Sequence, residues 1–322
     1  MNGDQAGHAV TSPSAAGPGP GAPRAVAALP ATPGVYRFRD SSGRVLYIGR
    51  ASALRSRVAS YWSDLGGRAH LAPMVARVAR IEAVSCDSPH EAAWLERNLL
   101  EASMPAWNRT PGGQESAVYI RLDARPAAPG LAVGYLPRPA PGLRYFGPYL
   151  GGLRARQAVA GLDRILPLCY AGTRLRGIRL DLARARGHGG AEAGGLIRTI
   201  TAVLDRQPDA VAWAGGELDR LRDRAAGMLA FELAARVHAE RLALDWVTSP
   251  QRVTTVAAAD FDVYGWAGGV LVHFAVRGGR LCAWSQRRCG RDRAGPRLAA
   301  TPGCWAGFAL RNAELAAGLI RG

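Results

Sequence analysis

The sequence contains no lysine: all 41 basic side chains are arginine, and against 25 acidic ones they leave a formal net charge of +16. Such a chain calls for a partner of opposite charge. Nucleic acid fits best, because its phosphates supply that charge and release counterions when bound. Codon bias in a GC-rich genome would enrich Arg, Ala and Gly together, yet arginine keeps its planar fork for phosphate whatever the codon reason. Cysteine is also sparse. Cys86, Cys169, Cys282, Cys289 and Cys304 are odd in number and lack regular short spacing, which argues against a secreted disulfide framework. Long apolar runs are missing too, since the stretch Val270 to Val276 is too short to span a bilayer. Nothing before the first basic residue, Arg24, forms the apolar core of a secretory signal. The chain is expected in the cytoplasm, without membrane contact. At about 150 residues per domain, its 322 residues predict two domains or three small ones and exclude a disulfide-stapled miniprotein.

Residues 1 to 27 are mostly Ala, Gly, Pro and Ser, too poor in large apolar side chains to repay the entropy of ordering, and are expected to form a disordered tail. From Leu29 to about Thr110 short strands and helices alternate. Strand-like runs follow at Val118 to Arg121, Leu131 to Leu136 and Arg144 to Tyr149, so the first region reads as one α+β unit with a β-rich extension. Residues 153–168 and 195–206 are expected to be helical, joined by a Gly-rich linker over 187–195. A helical hairpin is expected over Glu217 to Leu244, then two or three strands between Val253 and Ala283. There is no internal repeat.

Two constellations carry chemistry. Gly34 to Arg39 and Arg44 to Gly49 read as strands joined by the turn Asp40-Ser-Ser-Gly43. If Arg39 faces Arg44, Tyr36 lies directly opposite Tyr47, either as a proton-transfer pair or as a stabilising aromatic pair. Arg50 follows, then Ser52 as a helix N-cap, then Arg57 and Tyr61 on one helical face. Arginines beside paired tyrosines suit a phosphodiester. The second constellation begins with Ser88-Pro-His-Glu91, a capping box with proline at the first helical position. On the helix it starts, Glu96 falls within the apolar stripe of Ala92, Leu95, Leu99 and Leu100, whereas Glu91 and Glu101 turn toward solvent. A carboxylate there needs a cation, either an arginine or an oxygen-preferring metal such as Mg²⁺.

The order of these motifs resembles the GIY-YIG nuclease domain, in the version found in UvrC, the excision-repair incision subunit. Pro33-Gly-Val-Tyr36, Tyr47-Ile-Gly49, Arg57, Tyr61, Leu95 to Leu100 and Pro105-Ala-Trp-Asn108 meet its spacings from 47 to 50, 50 to 57, 57 to 61 and 96 to 108. Arg50 stands where the family usually has lysine. The resemblance runs on through Tyr145 to Tyr149 and Ile165 to Cys169. It continues through Leu229 to Arg236, which is similar to the UVR hairpin that contacts UvrB, and through Asp262 to Leu281. The chain stops near where the second nuclease half of UvrC would begin, as in truncated homologues of the Cho type.

The resemblance implies an α+β fold: a short mixed or antiparallel sheet flanked by helices, a UVR-like hairpin and a small β-rich C-terminal segment. The expected division is a tail over 1–27, the nuclease domain over 28–112, a β-rich extension over 113–150 and a helical linker region over 151–214. The hairpin would then occupy 215–248 and the C-terminal domain 249–322. It further implies a metal-dependent DNA endonuclease making a single 3′-side incision. Tyr36, Tyr47, Arg57 and Glu96 would be catalytic, with Glu96 holding one Mg²⁺ or Mn²⁺. Arg50, Arg57, Tyr61 and Asn108 would meet DNA, and a UvrB-like protein would bind residues 217–244. Tyr47 would take the proton of the attacking water, its phenol acidified by neighbouring arginines. No small-molecule cofactor is implied. The family's iron–sulfur type carries three more cysteines soon after the one matched by Cys169, and Tyr170 to His188 has none, so no cluster is expected and the thiols read as buried and free. Two rivals stand beside this reading: a non-catalytic DNA- or partner-binding module, and a nuclease for branched DNA outside excision repair.

Overall fold

The computed structural model describes residues 22–63, 65–109, 116–185 and 193–321. The expected tail therefore lies outside the described residues up to position 21. Its last part departs from expectation, because Ala22–Ala27 form a short helix, α1, and Ala25 is buried beside Leu29 in the first core. The Gly-rich linker lies outside the described residues over 187–192, and its last residues, 193–195, begin a helix instead.

Strands β1 (Gly34–Arg39), β2 (Val45–Ala51) and β3 (Arg80–Ser85) form an antiparallel sheet with β1 in the centre. Helices α2 (Leu54–Ser63) and α3 (Ala72–Val75) lie between β2 and β3 in the chain, and α4 (Pro89–Ala102) follows. The β1–β2 register differs from expectation by two residues: Tyr36 pairs with Gly49, and Tyr47 with Phe38. The cause lies in the turn. Asp40 Oδ1 accepts from the Ser42 and Arg44 amides at 3.1 and 2.9 Å, holding Arg44 in the loop, and a bulge beside Arg39 takes up the odd residue. A two-residue shift preserves the face, so both tyrosines still point to the same side. Gly49 is required there, since a Cβ would fall 2.5 Å from the Tyr36 hydroxyl. Helix α2 also starts without the expected Ser52 cap. Its first amides, Leu54 and Arg55, donate to the Thr32 and Pro30 carbonyls at 2.9 and 3.0 Å.

A second antiparallel sheet has β4 (Ala117–Asp123) between β5 (Gly130–Gly134) and β6 (Leu143–Leu150). It shares a core with α5 (Gly152–Ile165), α7 (Ala193–Leu204), α8 (Pro208–Gly227) and α9 (Phe231–Thr248), while α6 (Ile178–Ala185) lies between α5 and α7 in the chain. The hairpin α8–α9 is longer at both ends than expected. Its turn is closed by the Leu229 and Ala230 amides donating to Ala226 and Ala225 at 2.9 Å each, with Leu229 at φ 58°.

The C-terminal segment has three strands where two or three were expected, β7 (Phe261–Ala267), β8 (Val270–Arg277) and β9 (Arg280–Arg288), the last running beyond the expected end at Ala283. It also has two helices that the sequence reading missed, α10 (Arg291–Ala299) and α11 (Gly303–Arg321). Both the sheet and α11 share a core with α4 and with one face of the first sheet. Helix α11 approaches β7 so closely that a Cβ on Gly265 would meet the Ala309 carbonyl at 2.0 Å. It is pinned to β3 by Asn312, whose amide accepts from Ser85 N at 2.7 Å and donates to Ser85 O at 3.1 Å. The α+β expectation holds, and the C-terminal segment forms one body with the first sheet. Among the described residues no helix is long and apolar enough to cross a membrane.

Candidate functional site

The face of β1 that carries Tyr36 and Phe38 packs against α2, and strand alternation sends Tyr47 to the same side. Tyr36 is fully buried and its hydroxyl lies 2.8 Å from that of Tyr61. The ring centres of Tyr36, Tyr47 and Tyr61 lie within 5.9 to 6.3 Å of one another. Arg57, one turn before Tyr61 on α2, stands exposed over this cluster with its Cζ 6.0 Å from the Tyr61 ring. Opposite them, α4 presents Glu96. Tyr36, Tyr47, Arg57 and Glu96 border one cleft of about 440 Å³, whose wall also includes Arg50, Asn108, Arg68, His70, Trp107 and Arg109.

Glu96 sits where the helical stripe places it, with its side chain 14% exposed. One carboxylate oxygen accepts from the Arg50 amide at 3.1 Å, and the other lies 3.3 Å from Arg50 Nε. Burial pushes its pKa above the ordinary carboxylate range, with Arg50 and then Arg57 opposing. Its charge is thus only partly matched, because the Arg50 side chain is 51% exposed and solvent screens the pair.

The tyrosine acidities run opposite to expectation. Burial, then Tyr61 and Glu96, push the Tyr47 phenol well up, and Arg57 offsets only part of this. Burial dominates at Tyr36 as well, followed by the neighbouring phenols. Both are protonated at neutral pH. Asn108 lines the cleft, and its side chain is engaged within the protein. Its side-chain oxygen accepts from Ile48 N at 3.0 Å and its nitrogen donates to Ile48 O at 2.8 Å, so the amide holds β2 in position beside Tyr47. Tyr61 is buried too, 2% exposed, and touches its phenolic neighbours rather than the open side of the cleft.

Glu91, read as solvent-facing, is fully buried. Ser88 Oγ accepts from Glu91 N at 3.0 Å as the capping box predicts, but the Glu91 carboxylate turns back to accept from Asp87 N at 2.7 Å and Arg252 N at 2.8 Å. The segment before β7 covers this helix start, which no local pattern announces. Arg68, His70 and Arg109 were likewise missed: the first two lie in a short kinked 3-10 helix over Gly66–Leu71 and the third in a loop, neither with a periodic signal. Of the cysteines only Cys86 is buried; Cys169 and Cys304 are exposed, Cys282 and Cys289 half-buried. The expectation of buried thiols fails for those four.

A family model described as a UvrC-like GIY-YIG domain matches residues 32–109. UvrABC system protein C of Mycobacterium sp. strain KMS is 35% identical over 288 residues, covering 84% of this chain and 41% of that protein. Its counterpart in Mycobacterium marinum is 34% identical over 272 residues, covering 79% and 41%. A solved structure, the GIY-YIG N-terminal endonuclease domain of UvrC from Thermotoga maritima bound to its catalytic divalent cation magnesium, is 27% identical. It covers 28% of this chain and 98% of that one, with a TM-score of 0.25. The chain spans about two fifths of the length of the curated relatives it matches. Its residues 32–109 belong to the UvrC-type GIY-YIG nuclease domain family.

Proposed function

We propose that the protein is a divalent-metal-dependent DNA endonuclease of the UvrC type that makes a single 3′-side cut in excision repair. One observation carries the reading: Glu96, a recessed carboxylate with a single exposed arginine for its charge, faces a cleft walled by phenols and arginines. Its remaining lone pairs suit an oxygen-preferring cation. Mg²⁺ or Mn²⁺ bound there supplies Lewis-acid stabilisation of charge on the phosphate oxygens. Glu96 holds that ion, and Arg57, exposed at the mouth, neutralises the charge that builds on the phosphoryl group. Arg50 adds a second guanidinium toward the phosphate.

Tyr47 is the proton-transfer group. Its phenol is protonated at rest, so it accepts a proton from the attacking water only while releasing its own. That proton passes to water in the open cleft that the half-buried Tyr47 lines, while the buried phenols of Tyr61 and Tyr36, bonded to each other, hold the Tyr47 ring in place. Asn108 and Tyr61 act here by positioning Tyr47 and Tyr36. The reading includes no iron–sulfur cluster. A UvrB-like partner is assigned to the hairpin, whose turn leaves Met228, Leu229 and Phe231 exposed by 75, 73 and 65%, an apolar tip at the end of two helices.

The test is purified protein on damaged, nicked and branched duplexes with Mg²⁺ or Mn²⁺. The parent is expected to nick lesion-bearing duplex and to stop when the metal is chelated. Tyr47→Phe, which keeps the ring and removes the hydroxyl, is expected to be slower by about 10²-fold or more. A parent no faster than this variant on every substrate would leave the non-catalytic module as the reading, and preference for branched over damaged DNA would move the protein outside excision repair.

A further inference from the structure

Beside the catalytic cleft, and sharing Arg50 and Arg57 with it, lies a larger hollow of about 790 Å³. Its other walls come from Ser52 and Ser56 at the start of α2, from the first turn of α4, and from the β6–α5 junction and the last turn of α9. It therefore lies where the nuclease sheet meets the hairpin unit. Among the described residues no carboxylate lines it, whereas three arginines do, so its field favours an anion. Trp246 and the exposed Leu153 supply apolar surface. Arg154, also exposed, has its Cζ 5.5 Å from the centre of the Trp246 ring.

The floor holds an unused donor. His90 is 3% exposed, with its ring 4.4 Å from that of Trp246 and 5.8 Å from that of Tyr149. Its Nε2 accepts from Leu150 N at 3.3 Å, which leaves the ring proton on Nδ1. Burial, with Arg206 and Arg154, pulls its pKa down to about 3, so the ring is neutral at physiological pH. Nδ1 is buried and has no hydrogen-bond partner among the described residues. A buried donor without an acceptor is costly, and a small ring movement that opened Nδ1 to the hollow would let a bound acceptor relieve it.

We propose that this hollow binds the DNA strand adjoining the scissile phosphate, with its backbone along Arg154 and the shared arginines and a base on Trp246. A small movement of the His90 ring that uncovers Nδ1 would let it donate to an acceptor of the nucleotide seated there. The argument for a polynucleotide rather than a free nucleotide is continuity, since Arg50 and Arg57 line both hollows and a strand in one passes into the other. The location of the scissile phosphate rests on the nuclease reading above; strand binding itself does not need cleavage.

The experiment is equilibrium binding of a fluorescent single-stranded oligonucleotide to the full chain in chelator, as a function of salt, for the parent, Arg154→Glu, Trp246→Ala and Trp246→Phe. Arg154→Glu changes an exposed side chain, so the fold is expected to persist, and far-UV circular dichroism checks this. Affinity is expected to fall about tenfold or more in Arg154→Glu and Trp246→Ala, with Trp246→Phe recovering most of the loss. The salt dependence of Arg154→Glu should flatten by about one unit of slope. Parent-like affinity and slope in a folded Arg154→Glu would overturn the proposal, as would a mononucleotide that competes as well as the oligonucleotide. A parent that never nicks, while these variants still lose affinity, would sink the nuclease reading and leave this one standing.

Discussion

On one face of β1, Arg37 and Arg39 meet Glu82; on the other, Tyr36 and Phe38 lead to the cleft where Glu96 meets Arg50. Both carboxylates are withdrawn from water, yet their charge is handled differently. Glu82 is fully buried and bonds three arginines: Arg37, Arg39 at 2.9 Å, and Arg80. Burial would push its pKa up, but Arg37 and then Arg39 hold it below the ordinary range. Arg37 in turn donates to the Trp284 carbonyl at 3.0 Å and lies 3.8 Å from that indole's centre, tying the cluster to the C-terminal sheet. Burial lowers Arg37 to about 10, so it stays charged at neutral pH. Among the described residues Glu96 has one ion-pair partner, Arg50, half in solvent, with Arg57 acting only at a distance, and its pKa moves the other way. A carboxylate matched on every side is part of the scaffold, whereas one left partly unmatched beside an open cleft has capacity for a further cation.

The largest expected effect falls on the matched side. Glu82→Gln leaves Arg37 buried without its counter-ion and should destabilise the fold by about 3 to 5 kcal/mol, read by chemical denaturation near neutral pH. Because the Glu82 pKa is depressed by folding, its contribution is fully present above the unfolded-state value near 4 and is lost as pH falls through the folded-state value. The gap between parent and variant should therefore narrow in acid. A gap of constant size would mean that shape, not charge, is what Glu82 supplies.

Glu96→Gln sharpens the contrast from the unmatched side. Nicking should fall by about 10²-fold or more, while stability without metal changes by less than about 1 kcal/mol, the scale of a solvent-screened ion pair. Destabilisation as large as that of Glu82→Gln would make Glu96 a scaffold residue and erase the difference between the two faces.

The cleft was more legible in the sequence than the scaffold around it. Tyr36, Tyr47, Arg57 and Glu96 sit in or beside regular elements, where a period of two or 3.6 fixes the face even when the register moves, as the two-residue shift between β1 and β2 shows. What escaped depends on distant chain. Glu91 is buried because Arg252 and its neighbours cover it, and Arg37 finds Glu82 and Trp284 across two sheets. Helices α10 and α11 were hidden by an arginine-rich stretch and by a small-residue face that reads as neither apolar stripe nor loop. The hairpin turn places Leu229 in the left-handed region, where the usual glycine signal is absent, since Gly227 lies two residues earlier.

The smallest effect, and the one that tests charge matching as a guide to role, concerns Asp163 on α5. It lines neither hollow, its Oδ1 is buried without a hydrogen-bond partner among the described residues, and burial alone pushes its pKa up to about 6. The folded state thus binds this proton more tightly than the unfolded chain, so Asp163 weakens the fold as pH rises from about 4 and exacts its full cost above about 6. A shift of about two units corresponds to at most about 3 kcal/mol, and partial exposure lowers the expectation to about 2 kcal/mol. Asp163→Asn removes the charge, so the variant should be the more stable protein near pH 7.5 by that amount, with the advantage vanishing near pH 4, where both states hold the proton. A variant less stable than the parent near pH 7.5, with the deficit vanishing in acid, would show that Asp163 has an ionic partner in solution. Counting arginines around a carboxylate would then not separate Glu96 from Glu82.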